Sequence, residues 1–211
     1  MADEVFGIKA FQQKHKLDDD GIVGKNTARK IAEVFNLKHP ALFLGQLSHE
    51  SSNFTKVREE GHRYTAKRLQ EVFSYYRNRP VEAQQDAFNE KAIFNKVYAD
   101  KNRKKGYELG NVHPNDGWYF RGNGPLMLTG RRNHKAFENW LVSKGLLKSG
   151  ALMNNPDIVW KQFYLESAIW FFEVNNLFNI TDVKKLTLRV NGGTNGLADR
   201  IEQTNKFNKY F

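Results

Sequence analysis

The sequence predicts a mainly α fold with a small β element, preceded by a short helical segment at the N-terminus. Three observations carry this prediction. Apolar residues recur at helical spacing through most of the chain from Pro40 onward. Alternating strand patterns are scarce; the one stretch that breaks the helical pattern, residues 106–130, is rich in glycine and aromatics and ends in the strand-like Leu126-Met127-Leu128-Thr129. Finally, 211 residues, 40% of them hydrophobic and 13% aromatic, supply a core for one medium domain with a small appendage.

The elements follow in order. Residues 1–36 read as a partial helical segment and residues 37–211 as the main domain. In the first part, Val5 to His15 carries Ile8 and Phe11, and Asp18-Asp19-Asp20-Gly21 breaks the helix. Asn26 then caps a second run with Ile31, Val34 and Phe35 at i, i+3, i+4. The segment is too small to fold alone. Its aspartates lack the alternating ligands and closing glutamate of a calcium loop. Pro40 suits the first turn of a helix running to Glu50, and further helices are predicted near residues 65–76, 80–100, 131–144, 157–176, 181–190 and 197–211. Trp140, Trp160 and Trp170 are expected in the core. The long loop from 106 to 130 is where function is expected to concentrate. Its Gly122-Asn123-Gly124 is not a dinucleotide fingerprint, since no strand precedes it.

Composition excludes several chemistries. With no cysteine there are no disulfides, thiolate zinc sites or thiol nucleophiles, which fits synthesis in a reducing compartment. The N-terminus has no basic-then-apolar leader and no run reaches the length of a membrane span, so a cytoplasmic product without stable membrane insertion is expected. A formal charge of +10 favours anionic partners, whether nucleic acid, membrane surface or acidic wall polymer. The basic residues are scattered apart from Arg103-Lys104-Lys105 and Arg131-Arg132, and no helix-turn-helix or zinc-finger signature is present, so no nucleic acid is expected. A helical zinc site at His49 would need a second histidine where Asn53 stands. The remaining histidines lack ligand spacing, so neither metal nor other cofactor is expected.

The chemistry centres on Glu50 and Glu59. Phe43, Leu47 and Glu50 share one helical face, placing Glu50 on the core-facing stripe, where apolar neighbours would favour its neutral, proton-donating form. On a continuous helix Glu59 would lie on the opposite face, about 13 Å farther along the axis. Ser51-Ser52-Asn53 are turn formers, however, so the chain can fold back and pair the two as acid and base. The bland alternative is a hydrogen-bonded structural glutamate at 50 and a solvated one at 59 beside Arg58 and Glu60.

Two resemblances sharpen this picture. AFQQKHKLDDDGIVGKNTARKI, residues 10–31, resembles the second half of the peptidoglycan-binding repeat of cell-wall hydrolases, with the first helix of that module missing. The resemblance implies either wall targeting or a helical pair packed on the main domain. SHESSNF (48–54), the following Glu59, DGWYFRGNGPLMLTGR (116–131) and VNGGTNGLADR (190–200) together resemble the family 19 glycoside hydrolases, a lysozyme-like, chitinase-like helical fold. The absent disulfides and the wall-binding fragment point to the phage endolysin branch rather than the plant one.

The second resemblance implies Glu50 as general acid, Glu59 as general base and Thr129 as the hydroxyl that positions the attacking water. It also implies a substrate-binding set of His49, Tyr64, Trp118, Tyr119, Arg121, Gly122, Met127, Asn191 and Arg200, with Arg200 near the carboxylates. The chain departs from the family pattern at Met127, more often glutamine, and at Asn123, more often arginine. Glu59-Glu60-Gly61-His62-Arg63 is also longer than usual, leaving Glu60 as a second candidate base. The implied activity is inverting hydrolysis of β-1,4 bonds of peptidoglycan, of muramidase type, with chitin or a non-catalytic wall-binding role as alternatives. Inversion needs carboxyl groups about 6.5 to 9.5 Å apart, to admit a water. A monomer is expected, made in the host cytoplasm, reaching the wall after membrane permeabilisation and lysing the host.

Overall fold

In the computed structural model, which describes residues 5–211, the chain divides into two compact units. One comprises the described residues up to Val57 with Gly124–Leu126 and Ile158–Phe211; the other comprises Arg58–Asn123 and Met127–Asp157. The first four residues of the predicted N-terminal segment lie outside the described part of the chain.

The first unit begins with α1 (Gly7–Lys14), α2 (Lys25–Val34) and α3 (Pro40–Glu50). Between α1 and α2, Gln12 organises the aspartate turn: its amide donates to Asp20 Oδ1 at 2.9 Å and to Thr27 Oγ1 at 3.1 Å, and its carbonyl accepts from Gly21 N at 2.8 Å. The α2 cap is Gly24, with no side-chain hydrogen bond, rather than the predicted Asn26.

The second unit holds α4 (Ala66–Val72), α5 (Pro80–Asp86), α6 (Glu90–Val97), α7 (Asp116–Tyr119), α8 (Arg131–Ser143) and α9 (Ala151–Asn154). The run predicted over residues 80–100 is broken at Phe88, whose φ of 64° no helix accepts. Asn89 then restarts it, its side chain accepting Ala92 N at 3.1 Å as an N-cap. Leu69, Tyr76, Ala83, Ile93 and Phe94 form a buried cluster, with Tyr64, Phe73, Tyr98 and Trp118 packed around it. Gly117 lets α7 sit directly on the Phe94 carbonyl, where a Cβ would collide with backbone.

The chain returns to the first unit with α10 (Ile158–Gln162), α11 (Tyr164–Val174), α12 (Val183–Asn191) and α13 (Leu197–Asn208). α13 lies against α3, and Gly45 makes the close crossing possible, because a Cβ there would meet Thr204 Oγ1 and backbone. Phe43, Leu44 and Leu47 of α3 are essentially inaccessible to water, at 1%, 0% and 0% exposure. Burial of that kind stabilises the fold by about 1.5–3 kcal/mol per side chain. Within the same unit α1 packs on α10 and α11, with Phe6 edge-on to Trp160 at 4.9 Å. Trp160 and Trp170 are buried, whereas Trp140 is only half-buried, stacked on Phe137 at 5.9 Å.

The small β element predicted at 126–129 reduces, among the described residues, to two isolated bridges, Arg58 to Asn123 and Asn123 to Leu128. Met127 has φ 51° and turns the backbone where a strand would have to continue.

Candidate active site

Glu50 ends α3, and the chain then enters a left-handed turn of three non-glycine residues: Ser52, Asn53 and Phe54 have φ of 50°, 58° and 66°. Such a conformation costs about 1–2 kcal/mol per residue, so it must be held. Ser51 holds it through a hydroxyl that donates to the Leu47 carbonyl at 2.6 Å and accepts Phe54 N at 3.0 Å. Asn53 N donates to the Ser48 carbonyl at 2.7 Å, and the Phe54 ring is buried edge-on to Phe207. Serine and asparagine, which offer side-chain oxygens to nearby backbone, are the residue types this turn requires.

The surroundings of Glu50 correct the expectation of an apolar wall. Its side chain is 28% exposed and its Oε1 accepts from Arg200 Nη2 at 2.5 Å. Arg200 is buried, at 1% exposure, and is fixed by Gln46, whose Oε1 accepts Nη1 at 2.6 Å, and by the Asn195 carbonyl at 3.4 Å. Gln46 in turn donates to Thr187 Oγ1 of α12 at 3.3 Å. A carboxylate at a helix C-terminus meets the negative end of the macrodipole, and the guanidinium offsets that cost.

One residue earlier, His49 Nδ1 lies 2.6 Å from Asp199 Oδ2, and this hydrogen bond holds the Asp199 carboxyl below its usual range. The His49 ring lies against Gly196, leaving no room for a Cβ there. Asn191 stands exposed at the end of α12.

Glu59 belongs to the second unit. Both of its oxygens lie within reach of the Tyr98 hydroxyl, at 2.7 and 2.8 Å, and Oε2 also accepts Gly122 N at 3.2 Å. Its backbone N–H donates to the Gly122 carbonyl at 2.7 Å, tying the residue to the glycine-rich loop at two points. Burial first, then the charge of Glu59, push the Tyr98 phenol far above its ordinary value, so it stays a proton donor. The same two causes raise Tyr64. A Cβ on Gly122 would press on Met127 Cβ and Sδ at 3.2 Å and on Glu59 Cβ at 3.3 Å. Glu60, by contrast, is exposed and lies 3.9 Å from His62. Of the two carboxylates left open by the sequence, Glu59 is the organised one.

Thr129 Oγ1 donates to the Met127 carbonyl at 2.7 Å, which leaves its lone pairs as acceptors. Tyr119 is half exposed, at 51%. Trp118 stacks on Phe94, and on its ring sits the Arg121 guanidinium, 3.8 Å from the centroid. Arg121 is a correction to the predicted substrate-binding set: it is 3% exposed, donates to the Trp118 carbonyl at 2.8 Å and faces Asp157. Arg131 is likewise structural, bound bidentately to buried Asp116 at 2.7 and 2.9 Å.

Asn123, where arginine is usual, is fully buried; its amide donates to the Arg121 carbonyl at 3.0 Å and lies 3.3 Å from His134 Nε2. His134 is fully buried, and burial pushes its pKa down to about 4. Sequence reasoning missed Tyr98, Gln46, Asp199 and His134. Gln46 could have been found one helical turn before Glu50, but Tyr98 carries no motif signal.

A glycosyl hydrolase family 19 domain-containing protein of Haemophilus influenzae is 30% identical to this chain over 173 residues, covering 81% of the chain and 79% of the relative. Chitinase C from Streptomyces griseus aligns in structure over 96% of this chain and 67% of its own, at 14% identity and a TM-score of 0.42. No family model matches the chain. Coverage and identity with the Haemophilus protein establish that the chain belongs to glycosyl hydrolase family 19 and is a glycoside hydrolase.

Proposed function

We propose that the chain is an endolysin that hydrolyses the β-1,4 glycan backbone of bacterial peptidoglycan by inversion, as a muramidase, and so lyses a phage's bacterial host. The observation that carries the reading is the pair of separately organised carboxylates, one held by a buried guanidinium and one by neutral donors. In this reading Glu50 protonates the leaving glycosidic oxygen. Arg200 fixes Oε1, the proton travels from Oε2, and the guanidinium stabilises the carboxylate left behind.

Glu59 is the general base, aimed by Tyr98 and Gly122, and takes a proton from the attacking water. Thr129 accepts a hydrogen bond from the same water, since its own proton is engaged by Met127. No metal enters the scheme, because two carboxylates and a water complete the proton balance. The basic charge of +10 supports an anionic wall polymer as substrate. The protein would collect in the host cytoplasm as a monomer and reach the wall once the membrane is permeabilised.

The test is digestion of purified peptidoglycan and of chitin oligomers by the wild type and by Glu50→Gln. Reducing ends of the soluble fragments are identified by mass spectrometry after borohydride reduction. Reduced muramic acid ends that vanish in the variant are expected. Reduced glucosamine ends would move the cleaved bond, products from chitin alone would make the protein a chitinase, and equal activity in both proteins would remove Glu50 from the chemistry.

A further inference from the structure

The basic run at residues 101–105 has no part in the glycosidase chemistry, yet it borders the residue that aims Glu59. Lys101, Arg103, Lys104 and Lys105 gather four cations in five positions. Arg103 and Lys104 line a pocket of about 470 Å³ within the second unit, where the ends of α4 and α6 meet the loop that follows. Phe73, Tyr75, Tyr98 and Tyr107 give the pocket aromatic walls, and no aspartate or glutamate lines it. Like charges gathered without a counter-charge oppose folding. The pocket therefore suits a ligand that brings the counter-charge with it.

The acids nearest in sequence are turned elsewhere. Asp100 accepts Leu109 N at 2.8 Å and Gly110 N at 3.0 Å, and Glu108 accepts Gly106 N at 2.8 Å. Arg103 Nε donates to the Tyr107 carbonyl at 2.6 Å, which fixes the plane of the guanidinium. Among the described residues nothing pairs with its two Nη atoms or with the Lys104 ammonium. The two end nitrogens of a fixed guanidinium match the two oxygens of a carboxylate. Beside them Tyr107, 68% exposed, offers a flat ring that an aliphatic arm or a sugar can cover. Tyr98 is the wall shared with Glu59: its ring lines the pocket, its hydroxyl meets the Glu59 carboxylate at 2.7 Å, and the charge of Arg103 acts on its phenol. A group bound here lies one side chain away from Glu59.

A β-1,4 glycan brings a carboxylate to such a place only if its sugars carry one. Chitin is neutral. Muramic acid carries a lactyl arm that ends in a carboxylate, and in intact wall that arm continues into a peptide that is itself acidic. We propose that this pocket binds the carboxylate-bearing arm of a muramic acid residue, with the carboxylate on Arg103 and Lys104 and the arm against Tyr107, and so selects an acidic glycan over a neutral one. The inference rests on the peptidoglycan reading above.

The probes are three soluble disaccharides with closely similar backbones. Diacetylchitobiose is neutral, N-acetylglucosaminyl-N-acetylmuramic acid adds the lactyl carboxylate, and the same disaccharide bearing its stem tripeptide replaces that carboxylate by those of the peptide. Each is titrated into the wild type, Arg103→Gln and Lys104→Gln, with binding followed by amide chemical shifts. The wild type should bind one acidic probe about tenfold more tightly than diacetylchitobiose, with shifts at residues 101–107. Which acidic probe it prefers identifies the lactyl or the peptide carboxylate as the source. Arg103→Gln should lose most of that preference and Lys104→Gln a few-fold of it, while affinity for the neutral probe stays within about twofold in all three. Lys104 is exposed, so its variant carries the test if Arg103→Gln disturbs the loop. No preference for an acidic probe in the wild type, or a preference that survives in both variants, overturns the proposal. If peptidoglycan is cut but no preference is found, this inference alone fails; if peptidoglycan is not cut, the functional reading fails and the titration still reports on the pocket.

Discussion

Glu50 and Glu59 end up in opposite kinds of company. The first meets a full positive charge, the buried guanidinium of Arg200; the second accepts from dipoles, a tyrosine hydroxyl and a backbone N–H. A charged partner stabilises an anion that forms during reaction and needs no particular angle of approach. Dipolar donors fix direction, because a hydrogen bond weakens steeply once bent. The contrast suits a proton donor, whose conjugate base must be stabilised, and a base, which must be aimed at one water.

The most severe way to break the comparison is to remove the proton from one side only. Glu50→Gln keeps an oxygen for Arg200 and should fold normally, yet lower kcat by about 10²–10⁴-fold, the usual share of general acid catalysis. Single-turnover hydrolysis beside a thermal melt separates the effects. A variant that keeps its activity would mean that the guanidinium-bound carboxylate is structural.

The frame behind Glu59 has a pH limit of its own. His134 Nδ1 lies 2.9 Å from the Gly130 carbonyl and must donate to it, so Nε2 accepts from Asn123. Protonation would set donor against donor in a fully buried site. Its pKa is held near 4, against 6.5 when exposed. The unfolded chain therefore takes up the proton first as pH falls. Stability present above pH 6.5 is lost progressively down to pH 4, by about 3 kcal/mol in all. Urea unfolding between pH 7.5 and 4 should show this slope in the wild type and a shallower one in His134→Gln. Parallel curves would sink the assignment.

What the sequence showed and hid divides along the same line. The α3 side was legible because its logic is local: Pro40 opens the helix, Ser51-Ser52-Asn53 turn it, and the His-Glu-Ser and Ala-Asp-Arg strings mark Glu50 and Arg200. Periodicity nevertheless misjudged what Glu50 would face, since a helical stripe says which side is inward but not that a guanidinium waits there. The Glu59 side depends on residues far apart in the chain. Tyr98 lies 39 positions from Glu59, and its ring is set by Phe94, stacked at 5.7 Å, rather than by any motif. Arg121 read as a ligand-facing cation because the string around it resembles a family motif, but the folded loop turns it onto Trp118. The β element is as small as two bridges for a related reason: Leu126 to Thr129 has strand composition, while the loop it belongs to fixes Met127 at positive φ.

Tyr98→Phe sharpens the comparison more gently than Glu50→Gln, because it leaves the base in place and removes only its aim. A hydrogen bond to a charged group contributes about 1.5–3 kcal/mol, so kcat should fall about 10- to 100-fold while KM stays near its wild-type value. The stacked rings preserve packing, and the melting temperature should move little. An equal loss spread between kcat and KM would mean that Tyr98 meets the substrate rather than positioning Glu59.

The smallest effect tests how tightly the α3 side is built, and two glycines make the control. Gly192 and Gly196 have nearly the same backbone, φ 73° and 70°, but nothing lies within 4 Å of a Cβ at Gly192, while at Gly196 it would enter the His49 ring. Gly192→Ala should therefore read the left-handed backbone cost alone, about 1 kcal/mol. Gly196→Ala adds the displacement of His49 and strain on its 2.6 Å bond to Asp199, and should cost about 2 kcal/mol with a modest loss of kcat. Chemical denaturation of the pair isolates the ring contact as their difference. If the two variants unfold alike, the histidine has room to move, and the rigidity assigned to the Glu50 side resides in Arg200 alone.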